Sequence, residues 1–181
     1  MAIRKLACIA GSAVIAVAGM ATNVDLAAAA PTRTPTLKAE ISPYTVAHTG
    51  VLLNSGITGT SYLVTTPQRS VIGARFSGLQ PGHAYGVHVH NGTCADYAGH
   101  YKYDPTQTVA TRANEVWLDV FANRAGRGGD HVVVRPINTS GPLSIVIHEE
   151  SNPDAPANVS GAPQPGARES CGNYVARSGA G

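Results

Sequence analysis

The chain has 181 residues, of which 13% are charged, with 13 Lys and Arg against 11 Asp and Glu. No run of like charges favours binding to nucleic acid or to a membrane surface. No apolar segment reaches the roughly 20 residues that a membrane-spanning helix needs. The composition therefore indicates a globular protein, and its length indicates one domain behind a short N-terminal segment.

Residues 1–30 have the pattern of a secretory signal peptide. Arg4 and Lys5 form a basic start, residues 6–20 are apolar, and residues 27–30 are the small alanines of a cleavage zone. Removal of this segment leaves 11 basic and 10 acidic residues, so the mature chain has a net charge near zero. We expect an exported protein, secreted or held in a periplasm-like compartment of the cell envelope.

The cysteines agree with export. Cys8 lies in the segment that would be removed, which leaves Cys94 and Cys171. Two cysteines in an oxidising compartment predict one disulfide, here closing a long loop.

The body of the chain predicts an all-β domain. Residues 31–38, rich in Pro and Thr, are predicted to be a flexible leader, and residues 39–181 the domain itself. Short apolar, β-branched runs then alternate with Gly, Pro, Asn and Ser, and no useful helical period follows the signal. We expect eight strands in an antiparallel barrel or sandwich. The predicted strands are residues 44–53, 58–66, 70–79, 83–90, 115–122, 131–136, 143–148 and 172–176.

Two long stretches do not fit strands. Residues 91–114 and residues 149–170 are rich in turn-forming and polar residues. Loops of this length in a compact domain are usually functional. We therefore look for a site at their edges.

One pair of histidines is the strongest functional signal. His88 and His90 are two residues apart in an alternating strand, so their side chains point to one face and could bind one metal ion. Alone, such a pair is more often a polar pair with one ring in solvent. We select as partners His100, in the first long loop, and His148, at the end of an apolar run. The remaining histidines, His48, His83 and His131, are interpreted as polar residues at strand ends or outer faces.

Four motifs in order resemble the copper/zinc superoxide dismutases. They are Gly86-Val87-His88-Val89-His90, Cys94 with His100 six residues on, Val146-Ile147-His148-Glu149, and Gly166-Ala167-Arg168-Glu169-Ser170-Cys171-Gly172. The match covers most of residues 70–177. The resemblance implies a Greek-key barrel, and it implies the same Cys94–Cys171 disulfide.

The resemblance also implies the site. Copper would be held by His88, His90, His100 and His148, and imidazole nitrogens suit copper. Arg168 would attract and orient a small anion, superoxide, beside the metal. We assign the catalytic roles to Arg168 and His100.

The zinc ligands of the family are missing. No histidine lies between Tyr101 and Asp130, where the zinc-containing members have two more histidines and an aspartate. A zinc site needs about four ligands, so we expect copper without zinc. His100 would then need another partner for its second ring nitrogen, and a carboxylate commonly serves. Glu115 is the first candidate and Asp104 the second.

The predicted function is an exported, copper-dependent superoxide dismutase that needs no nucleic acid and no membrane span. The alternatives are a protein that stores or delivers copper on the same fold, or one in which two histidines ligate haem. The loop at residues 149–170 has no lysine, so Arg168 would carry most of the attraction for superoxide. The oligomeric state is left open by the sequence.

Overall fold

The computed structural model describes residues 35–149 and 166–176. The predicted signal peptide, the first residues of the predicted leader and most of the second long loop lie outside these ranges. Within them, no helix is long and apolar enough to cross a membrane.

The described residues form nine strand segments and one short 3-10 turn, Cys94–Asp96. The strands are β1 (Thr36–Pro43), β2 (Thr58–Thr65), β3 (Ser70–Ser77), β4 (Ala84–Asn91), β5 (Trp117–Phe121), β6 (Arg127–Val134), β7 (Leu143–Glu149), β8 (Arg168–Asn173) and β9 (Val175–Ala176). The prediction of an all-β fold is confirmed.

The strands form an antiparallel, nearly closed barrel of eight strands. Their hydrogen-bonded order is β5-β4-β7-β8-β1-β2-β3-β6. The two ends meet, because the Asp119 amide on β5 donates to Asp130 on β6 over 2.9 Å. β9 continues the last strand beyond Tyr174 and pairs with β1. Around the barrel, β4, β5 and β6 are neighbours in chain order, and the next strand, β7, returns to lie beside β4. This is the Greek-key type of connectivity.

The barrel interior is filled by every second residue of each strand. Val87 and Val89 of β4 and Ile145 and Ile147 of β7 are fully buried in the main core. Alternation sends their neighbours to the outer face. On β4 and β7 the outward residues are buried as well, because loops cover this side of the barrel.

The first strand differs from the prediction. Residues 36–38 were assigned to a flexible leader, but they begin β1, which pairs with β2 from Thr36 opposite Val64 to Ile41 opposite Gly59. Residues 44–53, predicted as a strand, form a loop closed by an isolated bridge between Tyr44 and Leu53. Residues 36–43 form a strand because they pair with β2, although the sequence around them is rich in Pro and Thr.

Two strand boundaries also differ. β6 begins at Arg127 instead of residue 131, because Gly128 and Gly129 pair with β3 rather than forming a turn. A Cβ atom at either glycine would lie 2.7 Å or closer to a carbonyl oxygen, so glycine fits this close approach of strands. β8 begins at Arg168 instead of residue 172, since it pairs with β7 as far as His148.

Candidate metal centre

Four histidines meet on the outer face of β4 and β7. His88 and His90 alternate with core residues on β4, and His148 follows Ile147 on β7. His100 lies in the loop after β4, where it forms an isolated antiparallel β-bridge with His90. The three strand histidines are buried, with exposed fractions of 2%, 1% and 3% for His88, His90 and His148. The structure thus brings all four predicted ligands together.

The rings of His90 and His148 have a defined proton arrangement. His90 Nδ1 lies 2.8 Å from the carbonyl oxygen of Ala98, and His148 Nδ1 lies 3.1 Å from that of Gly166. A carbonyl can only accept, so in each neutral ring the proton is on Nδ1 and Nε2 carries a lone pair. The two Nε2 atoms are 3.2 Å apart. Two lone pairs this close repel each other unless a cation lies beside them.

His100 is oriented in the same sense by a carboxylate. Its Nδ1 donates to Glu115 Oε2 over 2.7 Å, which leaves Nε2 free to face the other rings. Glu115 is buried, with 2% exposure, and Lys102 Nζ lies 3.9 Å from its other oxygen. Glu115, the first carboxylate selected from the sequence, therefore contacts His100. Asp104, the second, instead accepts hydrogen bonds from Thr106 within its own loop.

His88 supplies an unpartnered buried atom. Its Nδ1 is buried and, among the described residues, has no hydrogen-bond partner. Its ring stacks on that of His100, with centroids 4.1 Å apart. Buried polar atoms without partners are uncommon in proteins, so this nitrogen needs an explanation. A metal ion bound to it would provide one.

The environment keeps these imidazoles neutral. Burial, together with the nearby His100, lowers the pKa values of His88 and His90 well below 6.5. Burial also lowers the pKa of His148 to about 3. Neutral imidazole is the form that binds a metal ion. The cluster is therefore ready to bind at neutral pH without losing protons from these rings.

Arg168 is held beside the cluster. Its Nη2 donates to the carbonyl oxygen of Ala98 over 2.9 Å, the same oxygen that accepts from His90. Its backbone bonds to the loop after β1, through Gly50 at 2.8 Å and Leu52 at 2.9 Å. Arg168 pairs with His148 at a bulge where β7 meets β8. The guanidinium is thereby fixed to the backbone next to a ligand.

The disulfide connects the two segments of the site. Cys94 and Cys171 are joined, as predicted, and close a separation of 77 residues. The Cys94 amide also donates to the side chain of Asn173 over 2.6 Å. The loop that carries Ala98 and His100 is therefore tied to the strand that carries Arg168.

The other three histidines stay apart from the site. His83 and His131 are exposed, and His131 lies on the outer face of β6. His48 stacks on Tyr97 at the surface, with centroids 3.9 Å apart. His83 and His131 agree with the interpretation made from the sequence, whereas His48 lies in the loop at residues 44–53 instead of on a strand.

Two contacts were missed by the sequence analysis. Trp117 Nε1 donates to Glu115 Oε2 over 3.0 Å, and the Ala98 carbonyl joins His90 to Arg168. The alternation of Glu115, Trp117 and Asp119 before and along β5 was the available signal for Trp117, since such residues share a face. No sequence pattern indicates that the Ala98 carbonyl oxygen accepts hydrogen bonds from both His90 and Arg168.

His100 belongs to both groups of potential metal-ligand atoms. One ligand atom each from His90, His100 and His148 lie within 4.8 Å of one another, and so do atoms of His88, His100 and Glu115. In the second group Glu115 accepts a hydrogen bond from His100 Nδ1, so this contact orients a ring rather than adding a metal ligand. The residues present could hold one metal ion through His90, His100 and His148, and the His88 ring stacks on His100 beside them.

Fold and site together define an all-β barrel protein with a buried group of histidines suited to a metal ion. No protein-family model matches the chain, and no curated protein matches it. Its function is therefore argued from the site.

Proposed function

We propose that the protein is an exported, copper-dependent superoxide dismutase that works without a zinc site. The observation that carries the proposal is the arrangement of His90, His100 and His148. Each has its Nδ1 proton committed to an acceptor and its Nε2 lone pair left for a shared cation. The four sequence motifs that resemble the copper/zinc superoxide dismutases support the choice of reaction.

The donor set favours copper. Four neutral imidazoles suit Cu(II), whereas thiolates would favour Cu(I) or zinc. Both Cys94 and Cys171 are consumed by the disulfide, so neither offers a thiolate. Among the described residues, the potential metal ligands on the side of His100 that faces Glu115 are His88 and Glu115 alone. Glu115 is occupied by hydrogen bonds, which supports the expectation that zinc is not bound.

Bound copper would supply a one-electron couple that oxidises one superoxide to oxygen and, with two protons, reduces the next to hydrogen peroxide. Arg168 contributes a permanent positive charge that is fixed on the Ala98 carbonyl, next to a ligand ring. Such a charge attracts a small anion and orients it.

His100 is suited to handle a proton at Nε2. His100 Nδ1 donates to Glu115, so Nε2, whenever it is not bound to the metal, is an acceptor whose direction is fixed. A ring held in this way can take up a proton at Nε2 and pass it on without turning.

Export is supported by the disulfide, since such bonds persist in oxidising compartments.

The test measures metal content and superoxide turnover on one sample of purified mature protein loaded with copper and zinc together. We expect one copper per chain, no zinc, and rapid turnover. His148→Ala should remove both copper and turnover. His131→Ala, which removes an exposed histidine on β6, is the matched control and should change neither.

The other outcomes are equally informative. Stoichiometric copper without turnover would reject the enzyme and support a copper-holding protein. An intense haem absorption band would support the haem alternative, and zinc bound in equal amount with copper would contradict the single-metal site.

A further inference from the structure

Trp117 occupies a position between the histidine cluster and a surface ion pair. It lies on β5 directly opposite His88 on β4. The indole and the His88 ring are nearly perpendicular, at 86°, with centroids 4.7 Å apart. Glu115, two residues earlier, and Asp119, two residues later, share its face. This strand therefore presents the carboxylate partner of His100 and the indole to the same side.

Glu115 uses one oxygen for two donors. Its Oε2 accepts from His100 Nδ1 at 2.7 Å and from Trp117 Nε1 at 3.0 Å. Both donors are ring N–H groups with fixed directions, so together they fix where the carboxylate oxygen lies. A buried carboxylate requires such donors to offset the water it has lost. Without the indole, His100 would be the only hydrogen-bond donor on this oxygen among the described residues.

The indole is itself held from the other side. The Arg112 guanidinium lies 5.2 Å from the centre of the Trp117 ring. Arg112 Nη2 also donates to both carboxylate oxygens of Asp119, at 2.6 and 2.7 Å. A cation over an aromatic face and a charged hydrogen bond both favour one position of the guanidinium. Trp117 is therefore packed between Arg112 and His88, with its N–H aimed at Glu115.

We propose that Trp117 is a positioning residue of the metal centre. Its indole N–H holds the Glu115 carboxylate in place, and the carboxylate in turn directs His100 Nε2 toward the other imidazoles. The inference deepens the proposed function and rests on it for the identity of the metal. Partners of this kind commonly change metal affinity by about 10- to 100-fold when they are replaced.

The first experiment measures Cu(II) affinity by competition with a chelator. Trp117→Phe keeps a ring against His88 but removes the N–H donor, and we expect affinity to fall about 10-fold. Tyr62→Phe is the control, because it also removes one aromatic polar group, from a strand, β2, that is no neighbour of β4 or β7. Unfolding curves of the metal-free proteins show whether each variant is folded. A folded Trp117→Phe variant with unchanged affinity would overturn the inference.

A second set of variants tests whether Trp117 acts through Glu115. Glu115→Ala removes the acceptor, so adding Trp117→Phe to it should cause little further loss of copper affinity. If the two losses simply add, Trp117 acts by packing alone and the inference is wrong.

A third measurement needs no metal and no activity. Nitrogen NMR of the imidazoles in the metal-free protein should show His100 with its proton on Nδ1 in the wild type, and a mixture of tautomers in Trp117→Phe. An unchanged tautomer would reject the role of Trp117. Absence of superoxide turnover in the wild type would instead reject only the proposed function, so the two failures can be told apart.

Discussion

The Nε2 atoms of His90 and His148 lie 3.2 Å apart, and each ring donates its Nδ1 proton to a backbone carbonyl. The two lone pairs face each other across neighbouring strands. This arrangement costs free energy in the metal-free protein, and a bound cation removes the cost.

Copper should stabilise the folded protein strongly. At a free concentration about 1,000 times its Kd, a ligand that binds only the folded state raises the free energy of unfolding by about 4 kcal/mol. We expect an increase of this size for the wild type in chemical denaturation, and little increase for His148→Ala. His131→Ala should behave like the wild type. Equal stabilisation of all three proteins would show that copper binds elsewhere.

Arg168 should affect rate but not metal content. Arg168→Ala removes the fixed positive charge and no ligand, so kcat/KM for superoxide should fall by about 10-fold or more while copper stays bound. Steady-state rates and metal analysis on the same sample check this. Arg75→Ala, on the outer face of β3, removes an arginine away from the site and is the control. Loss of copper from Arg168→Ala would indicate a structural role instead.

The disulfide should stabilise both the fold and the site. The Cys94→Ala, Cys171→Ala double variant frees a loop of 77 residues, and loop-closure entropy predicts a loss of about 4 kcal/mol in the free energy of unfolding. Urea unfolding of the metal-free proteins measures it. Copper affinity should fall as well, since the segment with Ala98 and His100 is no longer tied to β8. Unchanged stability would contradict this account.

The metal-free protein should lose stability in mild acid. Burial lowers the pKa values of His88 and His90 and brings that of His148 to about 3, whereas all three have pKa values near 6.5 when unfolded. Below pH 6.5 the unfolded chain therefore binds more protons than the folded one. Stability is complete above pH 6.5 and declines as the pH falls, and His148 contributes to the decline down to about pH 3.

The slope of this decline can be measured. Each of the three rings contributes at most about 1.4 kcal/mol per pH unit to the decrease in the free energy of unfolding. Urea unfolding between pH 7.5 and 4.5 should show a smaller slope for His148→Ala than for the wild type. Identical slopes would mean that His148 is charged in the folded protein.

The fluorescence of the protein should report metal binding. Trp117 is the only tryptophan in the chain, and its ring lies 4.7 Å from that of His88. Cu(II) is redox-active and open-shell, so it should quench the emission in a titration that ends at one equivalent. Zinc, with a filled shell, is the control ion and should quench little. Quenching that continues past one equivalent would indicate surface binding.

Much of the fold and of the ligand set could be predicted from local patterns. Alternation along residues 83–90 and the apolar run at residues 143–148 predict strands. The alternation also places His88 and His90 on one face, because side chains in a strand repeat every two residues. Two cysteines in a chain expected to be exported predicted the disulfide, which the structure confirms. β1 and the start of β6 were missed, because each is a strand by virtue of its partner: residues 36–38 need β2, and Gly128 and Gly129 need β3.

Residue type and short-range spacing in the sequence thus identified the ligand candidates, the disulfide and the arginine that we propose attracts superoxide. Only the tertiary structure decided the proton arrangement of the site. The carbonyls of Ala98 and Gly166 and the Glu115 carboxylate reach the rings from different segments of the chain, and the Trp117 indole donates to Glu115. Hydrogen-bond direction depends on where separate segments of backbone cross, and no local pattern in the chain encodes that.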